Sequence, residues 1–429
     1  MDTIFAVSSG APPAAIAVLR LSGPRAFDAA ALLAGTLPAP RRAGLRPLHD
    51  PANGELLDRA LILAFPGPRS ASGEDLVELH LHGGRAVVRA VEAALAAIHG
   101  LRAAEPGEFT RRALLNGRLD LSEAEGLGDL LMAETESQRR MATRAAEGGV
   151  RRQVEQWAER LLQLAAQVEA QLDHSDEDDV AGSADSLDAI RAEAAALAQD
   201  IAEVTARPPT ERLRDGLRVV LAGPPNAGKS TLLNAMIERD AAIVSPIAGT
   251  TRDRIEAPVV RNGTAWLLID TAGLTDSSTD PIEAIGVGRA RAALDEADIV
   301  LWLGDESPPP HPTFLWLNPR CDVPGREALP ARDIALSAVT GEGVDALWLR
   351  LDALAGDLLP PPDLIAFNAR QRDLAGAAAR SLSIAAAQHD LLLVAEELRG
   401  ARRAFDSITG RTDVEAMLDS LFSRFCIGK

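Results

Sequence analysis

The stretch "LRVVLAGPPNAGKSTLLNAM", residues 217–236, limits what this chain can fold into more than any other. An apolar run that reads as a strand meets a turn opened by Gly223 and closed by Gly228, and a helical pattern follows at once. Gly223, Gly228, Lys229 and Ser230 stand at the spacing of a phosphate-binding loop. In such a loop the backbone N–H groups and the N-terminus of the next helix face a phosphate chain. Asn226, Ala227, Gly228, Lys229, Ser230 and Thr231 are therefore expected at the phosphates, with Lys229 on the β- and γ-oxygens and the Ser230 hydroxyl on Mg²⁺. Around this loop, residues 216–355 alternate strand-like and helix-like segments, the pattern of a mostly parallel sheet.

Two further segments follow in the order a GTPase needs. "AGTTRD" (248–253) has the character of a first switch, in which Thr250 or Thr251 senses Mg²⁺ and the γ-phosphate. "LLIDTAG" (267–273) ends an apolar strand with Asp270, placed to hold a Mg²⁺ water, and Gly273, whose N–H would meet the γ-phosphate. Between them the chain reads as a hairpin turning at Asn262-Gly263. Guanine is usually read by Asn-Lys-x-Asp after a strand. Here "FLWLNPRCD" offers Asn318, Arg320 and Asp322 with one residue too many, so either Asp322 reads the base with Arg320 in the lysine's place or this corner is degraded. Ser337-Ala338 resembles the loop whose backbone meets the guanine oxygen. The connection from Ile299–Leu303 to Phe314–Leu317 is a Pro-rich stretch where a helix is expected. Guanine is the expected base, with ATP as the alternative. Leu274 stands where many GTPases carry the Gln that orients water, so another group must do that work.

At 429 residues the chain is long enough for two to four domains. Two cysteines make no disulfide framework, and no apolar run is long enough to span a membrane. The first residues do not read as a secretory signal, so a soluble cytoplasmic protein is expected. A net charge of −18 opposes general nucleic-acid binding but leaves room for a local basic patch. Arg139, Arg140, Arg144, Arg151 and Arg152 form the densest basic stretch, read first as a solvated helix face. The segment 119–212 is helical in pattern, with Trp157, Leu161, Leu164, Val168 and Leu172 on one stripe. Helical periodicity returns after 359, through Leu391, Val394, Leu398, Ala401, Phe405 and Ile408. This suggests one helical domain with the α/β domain inserted; two separate helical modules are the alternative.

Segments in every block resemble the MnmE (TrmE) family of tRNA-modification GTPases: "DTIFAV", "VLRLSGPRA", "SGEDLVELHLHGG", "PGEFTRRALLNGRLDLSEAEGLGDL" and the terminal "FCIGK". The resemblance implies an N-terminal α+β domain of folate-binding type at 1–118, a helical domain at 119–212 and 359–429, and a Ras-like G domain at 213–358. It implies a GTPase that, with an MnmG-type FAD-containing partner in a heterotetramer, installs an aminomethyl-type group at C5 of the tRNA wobble uridine. It also implies a homodimer. Nucleotide contacts carry over to Asn226–Thr231, to Ser245, Pro246, Ile247, Ala248, Gly249, Thr250 and Thr251, to Asp270, Thr271, Ala272 and Gly273, and to Asp322, Ser337 and Ala338. Ser230 and Thr251 would hold Mg²⁺; Asn226, Ser245, Ile247 and Thr250 would ligate K⁺; Glu283 would orient water. Arg20, Glu78, Arg118 and Lys429 match the family's set for 5-formyl-tetrahydrofolate or a related one-carbon folate. The family's glycine-rich turn before the first strand is here "GAPPAA". Two other readings remain open: a GTP switch acting in ribosome assembly without chemistry of its own, and a helical scaffold that dimerises on GTP.

Strand Leu76–His82 places Glu78, His80 and His82 on one face. Two histidines without a third ligand are more often surface residues than a metal site. At the C-terminus, Thr412 and Glu415 make a capping box, and Val414, Met417, Leu418, Leu421, Phe422 and Phe425 line one face of a helix expected to end at Gly428. Cys426 lies at the margin of that stripe, either as a reactive thiol beside a cation or as a small residue closing the helix. The tail is expected to project towards the folate site.

Overall fold

Period-two alternation in the first hundred residues becomes a six-stranded sheet in the computed structural model, which describes residues 2–174, 183–239, 255–271, 291–326, 331–361, 364–411, 415–423, 425 and 427–428. Its strands are β1 Thr3–Val7, β2 Ile16–Ser22, β3 Gly44–His49, β4 Leu56–Phe65, β5 Leu76–His82 and β6 Leu101–Ala103, in the order β3-β4-β5-β2-β1-β6. β6 runs parallel to β1, and the other neighbours are antiparallel. Leu19, Leu21, Ile62, Val77, Leu79 and Leu81 are buried on one face. Helices Ala26–Ala34 and Arg85–Ala96 pack there through Ala29, Leu33, Val88, Val91 and Leu95. The opposite face carries Arg20, Glu78 and His80, and beside them Ile16, Leu45 and Leu61, which are 58%, 63% and 38% exposed.

Helix Glu108–Leu115 lies against that opposite face, where Phe109 packs on Ile4 and Ala6. A buried ion network anchors it. Arg112 reaches Asp2 at 2.8 Å, Glu74 at 3.2 Å and Glu108 at 2.9 Å. Burial alone would raise the Glu108 carboxyl, but hydrogen bonds from Arg102, the Glu105 N–H and Arg112 hold it below the ordinary carboxylate range.

The chain divides into two compact units: Met1–Gly128 with Ala146–Gln156 and Arg403–Lys429, and Asp129–Ala145 with Trp157–Arg402. The apolar stripes read from the sequence are the buried faces of helices Gly149–His174 and Leu391–Thr409; Leu164, Val168, Val394, Ala401 and Ile408 are fully buried. Arg139 and Arg140 both pair with Glu136 on helix Glu136–Ala146, a solvated face. Gln138 on the same helix is buried and uses all of its amide. Its oxygen accepts from the N–H groups of Glu134 (2.7 Å) and Thr135 (2.8 Å), and its nitrogen donates to the carbonyls of Leu213 and Arg214, each at 3.0 Å. Those two carbonyls close the short helix that leads into the strand before the phosphate loop. Gln138→Ala would strand two buried and two half-buried backbone groups and should cost roughly 2–4 kcal/mol. Thermal melts check this: an unchanged melting temperature would mean that water makes good the loss.

The second sheet has strands β7 Leu217–Ala222, β8 Ile255–Arg261, β9 Thr264–Asp270, β10 Ile299–Trp302, β11 Phe314–Pro319 and β12 Ile334–Leu336, in the order β12-β11-β10-β7-β9-β8. Only the β8–β9 pair among these is antiparallel, and it turns at Asn262 and Gly263 with φ of 50° and 77°. Positive φ at both positions is what a two-residue hairpin needs, and Asn-Gly supplies it cheaply. Helices Lys229–Arg239 and Val344–Leu358 bury Leu232, Leu233, Met236, Leu347, Trp348 and Leu351 against one face. The connection from β10 to β11 contains no helix, and two tryptophans fasten it instead. Trp302 Nε1 donates to the Glu306 carbonyl at 2.7 Å and Trp316 Nε1 to the Gly304 carbonyl at 3.0 Å. The Arg332 guanidinium lies 3.7 Å from the centre of the Trp316 ring.

One expectation is corrected. The last helix, Glu415–Phe422, ends six residues before Gly428. Phe425 turns back onto Phe422, their ring centres 5.4 Å apart, and packs closely on Gly128. That tertiary contact halts a stripe whose periodicity alone would have continued.

Candidate functional site

The phosphate loop leaves the C-terminal end of β7 with Gly223 at φ 146°, Asn226 at 61° and Gly228 at 96°. These left-handed positions turn the backbone into a cradle, and at Gly223 a Cβ would also crowd the Gly304 nitrogen at 3.2 Å. Lys229 is buried, and its Nζ donates to the carbonyls of Gly223 (2.8 Å) and Pro224 (3.0 Å). Burial pushes its ammonium below the ordinary lysine value, with the Asp270 carboxylate opposing the shift. Asp270 ends β9 next to Leu221 of β7. Its Oδ2 accepts from the Ser230 hydroxyl at 2.5 Å, while its buried Oδ1 has no partner among the described residues. Thr271 is fixed by its hydroxyl on the Leu221 carbonyl at 2.7 Å.

This donor set fits Mg²⁺. A serine hydroxyl faces a carboxylate that keeps one buried, unsatisfied oxygen, the acceptor that a metal-bound water would satisfy. The loop glycines and Lys229 fit the phosphates of a nucleotide in the same way.

The base corner lies at the C-terminal ends of β11 and β12, where Pro319 pairs with Leu336. Asn318 is turned inward: it is fully buried, and its Nδ2 donates to the Arg326 carbonyl at 2.7 Å. Arg320 follows at φ 60°, Cys321 N–H donates to the Leu336 carbonyl, and Asp322 is exposed. Ser337 is buried and takes the Thr340 N–H on its hydroxyl at 3.2 Å, with Ala338 half-buried beside it. Arg320 and Asp322, not Asn318, are thus the side chains on this loop open to a ligand.

In the N-terminal sheet, Arg20 and Glu78 are cross-strand neighbours on β2 and β5. Arg20 donates Nη2 and Nε to Glu78 Oε1 at 2.8 and 3.2 Å, and His80 Nε2 stands 3.4 Å from Oε2. Phe109 lies 6.0 Å below the guanidinium. His82 is occupied elsewhere, with its ring 2.7 Å from Asp58. Burial would raise the Asp58 carboxyl, but hydrogen bonds from the His82 amide and ring hold it below the usual range. Arg118 is exposed, just beyond the helix that carries Phe109. The tail arrives nearby: Ile427 bridges Pro106, and the Gly428 carbonyl accepts from the Ser8 hydroxyl at 2.7 Å. Sequence alone places His80 on the face of Glu78 but gives no sign of Ser8 or Phe109; "PGEF" and "VSSG" are visible, but not the contacts that join them.

Ser245, Pro246, Ile247, Ala248, Gly249, Thr250, Thr251, Ala272, Gly273, Glu283, Thr412, Cys426 and Lys429 lie outside the described residues. Among the described residues no group of three or more His, Cys, Asp or Glu could hold a metal ion, and no helix is long and apolar enough to cross a membrane.

A mainly parallel sheet, a glycine-bounded loop with Lys229 and Ser230, Asp270 on the next strand and two loops at the base corner define a P-loop nucleotide-binding domain of the GTPase class. Comparison with known proteins makes this narrower. The chain belongs to the MnmE family: the model described as GTP-binding protein TrmE N-terminus matches residues 3–118, and that described as MnmE helical domain matches residues 121–426. The tRNA modification GTPase MnmE of Erythrobacter litoralis is 56% identical over 429 residues, covering 100% of both chains. Its counterpart in Novosphingobium aromaticivorans is 52% identical over 436 residues, also covering 100% of both. That of Rhizorhabdus wittichii is 55% identical over 432 residues, covering 100% of this chain and 97% of its own.

Proposed function

We propose that this chain hydrolyses GTP and, with an MnmG-type flavoprotein, installs an aminomethyl-type group such as carboxymethylaminomethyl at C5 of the tRNA wobble uridine. The observation that carries this reading is the full-length identity to tRNA modification GTPases in a chain whose Lys229, Ser230 and Asp270 stand assembled around an orphaned acceptor. We assign 1–118 to folate binding and dimerisation, 119–212 and 359–429 to the helical domain, and 213–358 to GTP, in a cytoplasmic protein. The exposed row of Ile16, Leu45 and Leu61 supports a homodimer formed through the N-terminal sheet.

In this account Lys229 leaves the Gly223 and Pro224 carbonyls for the β- and γ-phosphate oxygens. Ser230 would give up its bond to Asp270 and, with Thr251, would hold Mg²⁺, which would supply positive charge to those oxygens. Asn226, with Ser245, Ile247 and Thr250, would hold K⁺, which would supply positive charge where the transition state builds negative charge. Glu283 orients the attacking water, work that Leu274 cannot do. Asp322 accepts from the guanine edge and the Ser337-Ala338 backbone meets its oxygen. Glu78, with Arg20, Arg118 and Lys429, would bind a one-carbon folate; its Oε2, which His80 approaches at 3.4 Å while Arg20 takes Oε1, is the oxygen suited to a pterin N–H.

GTP turnover should be higher by an order of magnitude or more in K⁺ than in Na⁺ at equal ionic strength, about what one well-placed charge contributes. Equal rates in the two salts would refute the potassium assignment, as would an Asn226→Ala variant that keeps its K⁺ response. The reading as a whole is tested by deleting the gene and analysing tRNA nucleosides. Loss of the wobble modification separates it from a ribosome-assembly switch, whose loss would leave those nucleosides intact.

A further inference from the structure

We propose that Ser8 and Gly428 form a latch that positions the C-terminal tail at the end of β1, and that the tRNA modification depends on this latch being closed; the second half rests on the function proposed above. Three independent contacts hold the tail. Phe425 packs on Phe422 and Gly128. Ile427 makes an antiparallel bridge to Pro106. Gly428 is buried at φ 93°, with its carbonyl on the Ser8 hydroxyl.

The glycine is required twice over. Its left-handed backbone disfavours any side chain, and a Cβ there would fall 1.9 Å from the Val7 carbonyl oxygen, well inside contact distance. Backbone cannot move aside here, because Val7 is held in the β1–β2 ladder opposite Leu19 and Ser8 N–H donates to the Val18 carbonyl at 2.7 Å. Arg20 is the next residue along β2, opposite Ala6. The latch therefore delivers the tail to the strand end beside the Arg20–Glu78 pair. Cys426 stands in sequence between Phe425 and Ile427, both of which are held. Ser8 and Gly428 are positioning residues in this scheme.

The test places four genes in a deletion strain: wild type, Ser8→Ala, Ser8→Thr and Gly428→Ala. Wobble nucleosides are quantified in cells. GTP turnover, melting temperature and the rate of Cys426 alkylation by iodoacetamide, read by peptide mass spectrometry, are measured on the purified proteins. Gly428→Ala should lower modification more than tenfold and Ser8→Ala by up to about tenfold, the weight of one hydrogen bond. Ser8→Thr, which keeps the hydroxyl, should stay near wild type. GTP turnover should not move, Gly428→Ala should lower the melting temperature more than Ser8→Ala does, and Cys426 alkylation should speed up several-fold in both alanine variants. Full modification by Gly428→Ala, or alkylation rates equal to wild type, would overturn the latch. A wild-type gene that fails to restore modification would count against the proposed function instead, and the alkylation rates would still decide the latch.

Discussion

Glu283→Ala should slow GTP turnover about 10²- to 10³-fold while leaving GTP affinity within about twofold of wild type. A group that orients water acts on the transition state and adds little to ground-state binding, so kcat falls and the dissociation constant does not. The position matters here because Leu274 follows the Asp270–Gly273 segment, where its apolar side chain can neither donate to nor accept from water. Single-turnover hydrolysis and titration with a non-hydrolysable analogue separate the two quantities. Parallel losses of rate and affinity would make Glu283 a structural residue of the loop. Lys229 would supply the contrast: under the proposed function its ammonium meets phosphate oxygens in the ground state as well, so its removal should weaken both.

Cys426→Ser should abolish wobble-uridine modification in cells while GTP turnover and melting temperature stay near wild type. The substitution keeps nearly the shape of the side chain but removes the thiol, and serine forms no comparable anion near neutral pH. Its neighbours give the prediction its footing: Ile427 and Gly428 are docked on Pro106 and Ser8, and Ser8 lies two residues beyond Ala6, the strand partner of Arg20. A cysteine that served only to close the helix would be expected inside Glu415–Phe422, and Cys426 lies beyond it. Modification that survives the substitution would place the chemistry elsewhere.

Features set by local chemistry could be read from the sequence. The phosphate loop announces itself because Gly223 and Gly228 serve a left-handed backbone shape that few other residues permit. The Asn262-Gly263 turn does so for the same reason, and the alternation in Leu76–His82 reports one buried face. What could not be read depends on which distant segments meet. Nothing near Asn318 foretells that Arg326 will draw its amide inward, leaving Asp322 as the exposed carboxylate. Nothing in the "SPPPHP" connection foretells that Trp302 and Trp316 will hold it without a helix. Arg20 and Glu78 could each be singled out, but their pairing is a matter of strand register across 58 residues. The early end of the last helix follows from Phe425 meeting Gly128, a contact that no local periodicity encodes.

The central claim is that GTP hydrolysis at Lys229 drives the modification of the wobble uridine. It is tested most directly by complementing a deletion strain with the wild-type gene or with Lys229→Ala, and quantifying the wobble nucleosides by mass spectrometry. The account predicts that deletion removes the C5-modified uridine, that wild type restores it, and that Lys229→Ala does not. Restoration by Lys229→Ala to the wild-type level, or tRNA whose wobble nucleosides are unchanged by the deletion, would contradict it.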